Sequence, residues 1–173
     1  DHRELRLHVD IRVDGFLPGQ THQVLIDTAA FEIRVEPVTG GYVPKVITDQ
    51  GVTLTWPIAL GARNLGQWYR MVVVYIPAGS SQFILQMQPW DVTRGQFAAT
   101  DVLNVESKIC IRRTAGLTPI STSSNKLWLG RDSASVTKSL HGGLDNLALY
   151  NYAGQPSKYG FSIDSNLCTT VTQ

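Results

Sequence analysis

Apolar and polar side chains alternate along much of this chain. From Glu4 to Asp14, Leu5, Leu7, Val9, Ile11 and Val13 alternate with Glu4, Arg6, His8, Asp10, Arg12 and Asp14. A period of two sends the two sets to opposite faces of an extended strand. The stretch therefore predicts a strand with one face on a core and one face wet, with His8 on the wet side and poorly placed to be a buried base. Phe31, Ile33 and Val35 alternate in the same way with Glu32, Arg34 and Glu36, and Val52, Leu54, Trp56 and Ile58 with Thr53, Thr55 and Pro57. Val72 to Ile76 is apolar at every position, which predicts a strand covered on both faces. Phe83, Leu85 and Met87 follow the turn signal PAGSS at residues 77–81. Later strands are predicted around Ile109, over Leu127 to Leu129 and over Leu147 to Tyr150.

No sustained amphipathic helical pattern occurs. Short strands separated by Gly, Pro and Ser predict an all-β protein, a two-sheet antiparallel sandwich or jelly roll. Composition does not break along the chain, so residues 1–173 are expected to form a single domain. The polar stretch TAGLTPISTSSN, residues 114–125, is expected to be a loop inside it, and residues 152–173 a strand or tail that closes the sandwich.

Bulk properties narrow the function classes. The chain has 173 residues, enough for one real core. Its formal net charge of +1 supplies no strong field for nucleic acid or an anionic membrane. The adjacent Arg112 and Arg113 have no aromatic residues interleaved with them and are expected to be a solvated patch. The longest apolar run, MVVVYIP from Met71, is far shorter than the ~20 residues a membrane-crossing helix needs, so no membrane insertion is expected. The chain starts at Asp1 without a leader pattern, which suggests a processed mature chain or a domain cut from a larger protein.

The two cysteines, Cys110 and Cys168, lack CxxC spacing and a nearby histidine, which argues against zinc. In KICIR, Cys110 shares the polar parity with Lys108 and Arg112, while Ile109 and Ile111 share the other. A thiol placed outward suits a bridge to a tail better than core filling, and Cys168 lies in such a tail. A Cys110–Cys168 disulfide is expected, and with it an oxidising compartment; two free thiols are the alternative.

Two segments carry a family signature. NLGQWYRMVVVYIPAGSSQFILQM, residues 64–87, resembles the tryptophan-led hairpin of the laminin G-like group within the concanavalin A-like jelly rolls. LWLGRDSASVTKSLHGGLDNLALYN, residues 127–151, resembles the C-terminal signature of that group, with Gly130, Arg131, Asp132, Gly143, Leu144, Asp145, Leu149, Tyr150 and Asn151 in register. Together they cover about a third of the chain. Tyr69 stands where the group has His, and QMQPWD, with Pro89 and Trp90, replaces the glycine that ends the hairpin. The resemblance implies a laminin G-like jelly roll, excised from a larger secreted or surface protein, whose loops carry its function. It also implies that Trp68 is a core tryptophan. Gly142 and Gly143 are expected to permit a backbone turn, and Asp145 to accept backbone amides at the start of the last strand.

No GxSxG occurs, and nothing marks Ser139 as activated by His141, so a serine triad is not expected. Jelly-roll glucanases carry carboxylates on alternate positions of one strand. Here Asp10 and Asp14 have Arg12 midway, and Glu32 and Glu36 have Arg34 midway. An interposed arginine lowers carboxylate pKa values, the wrong direction for a general acid. Calcium at the sandwich rim is implied by the resemblance as an option, with Asp132, Asp91 and Asp101 as its ligands; no cofactor is required. Trp56 shares the core parity, whereas Trp90, in a Pro-Trp-Asp turn, and Trp128, on the face opposite Leu127 and Leu129, are expected to be exposed. With Arg131, Asp132 and His141 they form the candidate ligand-binding set. The expected function is non-catalytic recognition of a glycan or an extracellular partner protein in cell adhesion or at a cell surface. An assembly module with no glycan ligand is the alternative, and a glycoside hydrolase the remaining one.

Overall fold

A computed structural model describes residues 5–28, 31–48, 51–56, 60–61, 65–76, 82–98, 109–113, 127–132 and 134–150. Among them are twelve strands: β1 (Leu5–Val13), β2 (Gln23–Asp27), β3 (Phe31–Val38), β4 (Gly41–Thr48), β5 (Thr53–Thr55), β6 (Leu60–Gly61), β7 (Trp68–Ile76), β8 (Gln82–Asp91), β9 (Gln96–Phe97), β10 (Ile109–Arg113), β11 (Trp128–Leu129) and β12 (Gly142–Tyr150). The helical content of the described residues is one short 3-10 turn, Val136–Lys138.

The strands form two antiparallel sheets. The first has the order β10-β8-β7-β1-β12, with β9 beside β8; the second has the order β11-β2-β3-β4-β5, with β6 beside β4. One core lies between them, so the fold is an all-β sandwich. Leu7, Val9, Ile11 and Val13 from β1 pack there with Ile33 and Val35 from β3 and with Tyr69, Met71 and Leu85 from the first sheet. Each of these is at most 1% exposed. Alternation thus places the predicted apolar parity of β1 and β3 inside. Trp56 is 1% exposed and joins the core, as its parity predicted.

β7 is covered on both faces, as its unbroken apolar run predicted. Val73 and Tyr75 face the main core, while Val72, Val74 and Ile84 form a second buried cluster on the outer side. Four strands were not anticipated: β2, β4 and the two-residue β6 and β9. In β4, Tyr42, Pro44, Val46 and Thr48 are the buried positions, and Pro44 and Thr48 disguise the alternation. In β2 the first four residues are all buried, in part because a bulge at Leu25 shifts the register.

Two expectations need correction. Gly142 and Gly143 do not form a turn: they open β12 and pair with Val13 and Arg12. Trp68 is outside the core cluster; it is aligned with Arg12 on the outer face of the first sheet. The adjacent Tyr69 fills the core position instead and is fully buried. Pro57 and Ile58, the PAGSS turn, the loop at residues 114–125 and the segment 152–173 lie outside the described residues, as does Cys168 of the expected disulfide. The backbone of Cys110 lies in β10, aligned with Leu85.

Candidate functional site

The outer face of the first sheet carries a connected polar and aromatic array. Its centre is Asp10, which alternation puts on the wet parity yet which is only 3% exposed. Arg70 of the neighbouring β7 donates to it from both Nε (2.8 Å) and Nη2 (3.0 Å). Asn146 of β12 donates from Nδ2 to Asp10 Oδ2 at 2.7 Å. This third contact depends on a local irregularity. The register of β1 and β12 shifts between His8 and Asp10, and Asn146 takes a left-handed φ of 50°. The shift is a β-bulge, which re-aims a side chain, and Asn tolerates that conformation better than most residues with a β-carbon. Asp145 supports the bulge by accepting the Asn146 amide at 2.7 Å, close to its predicted role.

Arginines and aromatic rings extend the array. The Arg70 guanidinium lies over the Phe97 ring at 4.2 Å, and Phe97 meets Trp90 edge-on at 5.0 Å. One step along, Arg12 pairs with Asp14 through Nε (2.8 Å) and Nη2 (3.0 Å) and lies over the Trp68 ring at 5.2 Å. Each arginine therefore turns two donors to a carboxylate and its face to an aromatic ring, which holds the ring in place. Trp68 in turn covers Gly143, where a β-carbon would stand 2.9 Å from the indole.

His8 occupies the same face and is half-buried. Arg6 Nε donates to His8 Nε2 at 2.6 Å, and the ring meets Tyr150 edge-on at 5.5 Å. Burial, followed by the charges of Arg6 and Arg70, lowers the imidazole pKa to about 4 against the opposing pull of Asp10. The neutral ring is thus the folded form. Between the ordinary value of 6.5 and about 4, the unfolded chain binds a proton that the folded protein refuses, so stability falls as pH falls through that window. Thermal unfolding is expected to show this decline and His8→Gln to flatten it. Partial exposure limits the effect to about 1–2 kcal/mol. An equal decline in His8→Gln would exclude the imidazole as its source.

The residues singled out from sequence do not converge on one site. Trp90 belongs to the array just described and is half-buried. Trp128 is in the second sheet, half-buried, with Arg131 over its ring at 4.3 Å. Leu127 and Leu129, expected beneath it in the core, are 47% and 48% exposed. Asp132 is 5% exposed and organises its own loop: it accepts Lys138 Nζ at 2.8 Å, the Ala134 amide at 2.8 Å and the Ser135 amide. The Lys138 hydrogen bond, with help from the two amides, outweighs burial and lowers its pKa. His141 is exposed and acts through its backbone: its carbonyl accepts Asp14 N at 2.9 Å, and its amide donates to Gln23 Oε1 at 3.0 Å.

Two glutamines that sequence reasoning passed over tie this loop down. Gln23 is fully buried and donates to Gly15 O and Gln20 Oε1; Gln20 Nε2 donates to the carbonyls of Thr137 and Ser139. Residues 130–132 and 134–141 are therefore pinned between the second sheet and the first.

Both described candidates for calcium already have partners. An ammonium already stands against Asp132, and Asp91 is engaged by the amides of Thr93 (2.9 Å) and Arg94 (3.2 Å). No group of three metal-ligating side chains occurs among the described residues, and Asp101 lies outside them. The acidic pairs are held by bases. Glu32 meets Arg34 at 3.2 Å; Glu36 meets Arg34 at 2.5 Å and also Lys45. Burial raises the Glu36 pKa, but the hydrogen bonds and charges of Lys45 and Arg34 outweigh it and leave the carboxyl below its usual range. No protein-family model and no curated protein matches the chain.

Proposed function

We propose that this chain is a non-catalytic recognition module, a jelly roll of the laminin G-like kind, that binds a glycan in a secreted or cell-surface setting. One observation carries the reading: Trp68, Trp90 and Phe97 stand on a single sheet face beside Arg12 and Arg70, whose guanidinium groups are stacked on aromatic rings. Sugar rings offer apolar C–H faces to aromatic side chains and hydroxyls to charged and amide groups, and this face has both. Its rings stand on strands, and the arginines stacked on them are hydrogen-bonded to Asp10 and Asp14, so little order has to be gained on binding.

Two further observations support it. Asp10, Asp14, Glu32 and Glu36, the carboxylates from which a glycosidase would draw its acid and nucleophile, are each paired with a basic side chain. A general acid requires a raised pKa, and Glu36 is shifted the other way. The pairing of the first strand with the last described strand, beside the central β7–β8 hairpin, suits the two segments that resemble the laminin G-like group.

A glycan array is expected to return positives. For any glycan so found, Trp68→Ala and Trp90→Ala are each expected to weaken binding about tenfold or more while the unfolding transition is retained. An array silent to folded protein, or affinity unchanged in both variants, overturns the reading. Assembly with a partner protein is a second reading, favoured by the exposed leucines Leu127, Leu129 and Leu149.

A further inference from the structure

The charges around the array on the first sheet are balanced. Among the described residues, β12, β1 with the residue that follows it, β7 and the β8–β9 hairpin carry four arginines and four aspartates. Each of these arginines has a partner. Arg70 turns Nε and Nη2 to Asp10, and Arg12 turns the same two nitrogens to Asp14. Arg94 stands 3.6 Å from Asp91, and Arg6 donates from Nε to His8. The fourth aspartate, Asp145, accepts the Asn146 amide. Nε and Nη2 form the fork with which a guanidinium grips a carboxylate or a similar oxyanion in two parallel bonds. On Arg12 and Arg70, the two arginines stacked on the rings of Trp68 and Phe97, an aspartate already fills that fork. Their remaining N–H groups suit single hydrogen bonds to hydroxyls.

Resting on the glycan reading above, we infer that this face takes a neutral glycan, built of sugars without carboxylate or sulfate groups, and that Asp10 and Asp14 turn acidic sugars away. An acidic sugar has two ways to reach the arginines. It displaces an aspartate, or it approaches with the aspartate in place. Displacing Asp10, which is 3% exposed, strands a buried carboxylate. The Asp14 side chain is 34% exposed and yields more readily, but its charge then stays beside the incoming anion. Approach without displacement also sets like charges side by side, the arrangement by which binding surfaces reject wrong partners. A neutral sugar meets neither cost. Its hydroxyls accept from the remaining N–H groups, and its C–H faces lie on the rings. Asp14 is the position to vary, because its loss opens the Arg12 fork without stranding a buried charge: the Arg12 side chain is 37% exposed.

The test is binding of the intact chain to matched pairs of immobilised oligosaccharides. Each neutral hexose backbone is presented with and without a uronate, sialate or sulfate group, at about 50 and about 500 mM salt. The expected result is binding to neutral members, binding at least about tenfold weaker to their acidic counterparts, and little change with salt. In Asp14→Ala the ratio of acidic to neutral affinity is expected to rise about tenfold at low salt, the effect of one charge-assisted hydrogen bond. Acidic members bound as tightly as their neutral counterparts, or more tightly, overturn the inference and leave the glycan reading standing. Silence toward both members of every pair overturns the glycan reading and the inference with it. A ratio that Asp14→Ala does not move overturns the part assigned to Asp14. If Asp14→Ala fails to fold, Asp14→Asn, which keeps the shape of the side chain and removes its charge, decides the same question.

Discussion

Gly142→Ala is expected to be among the most damaging single-methyl changes in this protein. An ideal β-carbon at position 142 falls 1.9 Å from the Arg12 carbonyl oxygen, 2.9 Å from its carbon and 3.1 Å from the Val13 Cα. All three are backbone atoms of β1, the strand that holds β12 to the rest of the first sheet. No rotamer relieves the clash. The strands have to separate where Gly142 and Val13 pair, losing ladder hydrogen bonds and opening the core beside Val13. The expected loss is about 3–5 kcal/mol, in the range reserved for overpacking and broken backbone pairing. At this chain length each kcal/mol lowers the melting temperature by about 2–4 °C. Gly143→Ala is the control. Its β-carbon would meet the far end of the Trp68 ring at 2.9 Å, and a side chain can tilt away. Urea unfolding of both variants checks the contrast; a Gly142→Ala protein within about 1 kcal/mol of the parent would show that β1 and β12 tolerate wider spacing.

The second large effect is expected at Asp10. Asp10→Ala removes three charge-assisted or polar hydrogen bonds at once and leaves the Arg70 guanidinium without its carboxylate. Breaking a buried ion pair from one side costs more than the pair contributes, because the remaining charge is uncompensated. Arg70 is 36% exposed and recovers some hydration, which limits the loss to about 2–4 kcal/mol. Replacing both residues, Asp10→Leu with Arg70→Leu, is expected to return part of that stability, since no charge is then stranded. The same network carries the glycan proposal: without Asp10, the Arg70–Phe97 stack loses its anchor, so binding should weaken alongside stability. Unfolding free energies of Asp10→Leu, Arg70→Leu and the double variant form the required cycle. Additive losses would mean that Asp10 and Arg70 do not act as a unit.

Much of this architecture was legible in the linear pattern. Leu5 to Val13, Phe31 to Val35 and Val72 to Ile76 announced their strands because each side chain on a pleated strand sees either the core or the outside. β4 was harder: Pro44 and Thr48 occupy inward positions, and their residue types do not advertise burial. The candidate site was less legible still. Trp90 was marked as exposed in a turn but lies half-buried near the end of β8, and Trp68 was taken for core, because one residue of register decides whether Trp68 or Tyr69 faces inward. Gln20 and Gln23 carried no signal, since their role lies in bonds to residues more than a hundred positions away.

By itself the sequence determined the all-β class, the inward parity of the long strands, the double cover of β7 and the arginine interposed in each pair of acids. These follow from neighbours one or two positions apart, where the covalent geometry of an extended chain settles which side chains share a face. Tertiary structure alone decided that Asp10 is buried on a nominally wet face, that Gly142 is required by a strand rather than a turn, and that Leu127 and Leu129 are left about half exposed. Those outcomes depend on which strands become neighbours, on a bulge that re-aims Asn146, and on where each sheet ends. Such contacts join segments far apart in the chain, and no local periodicity encodes them.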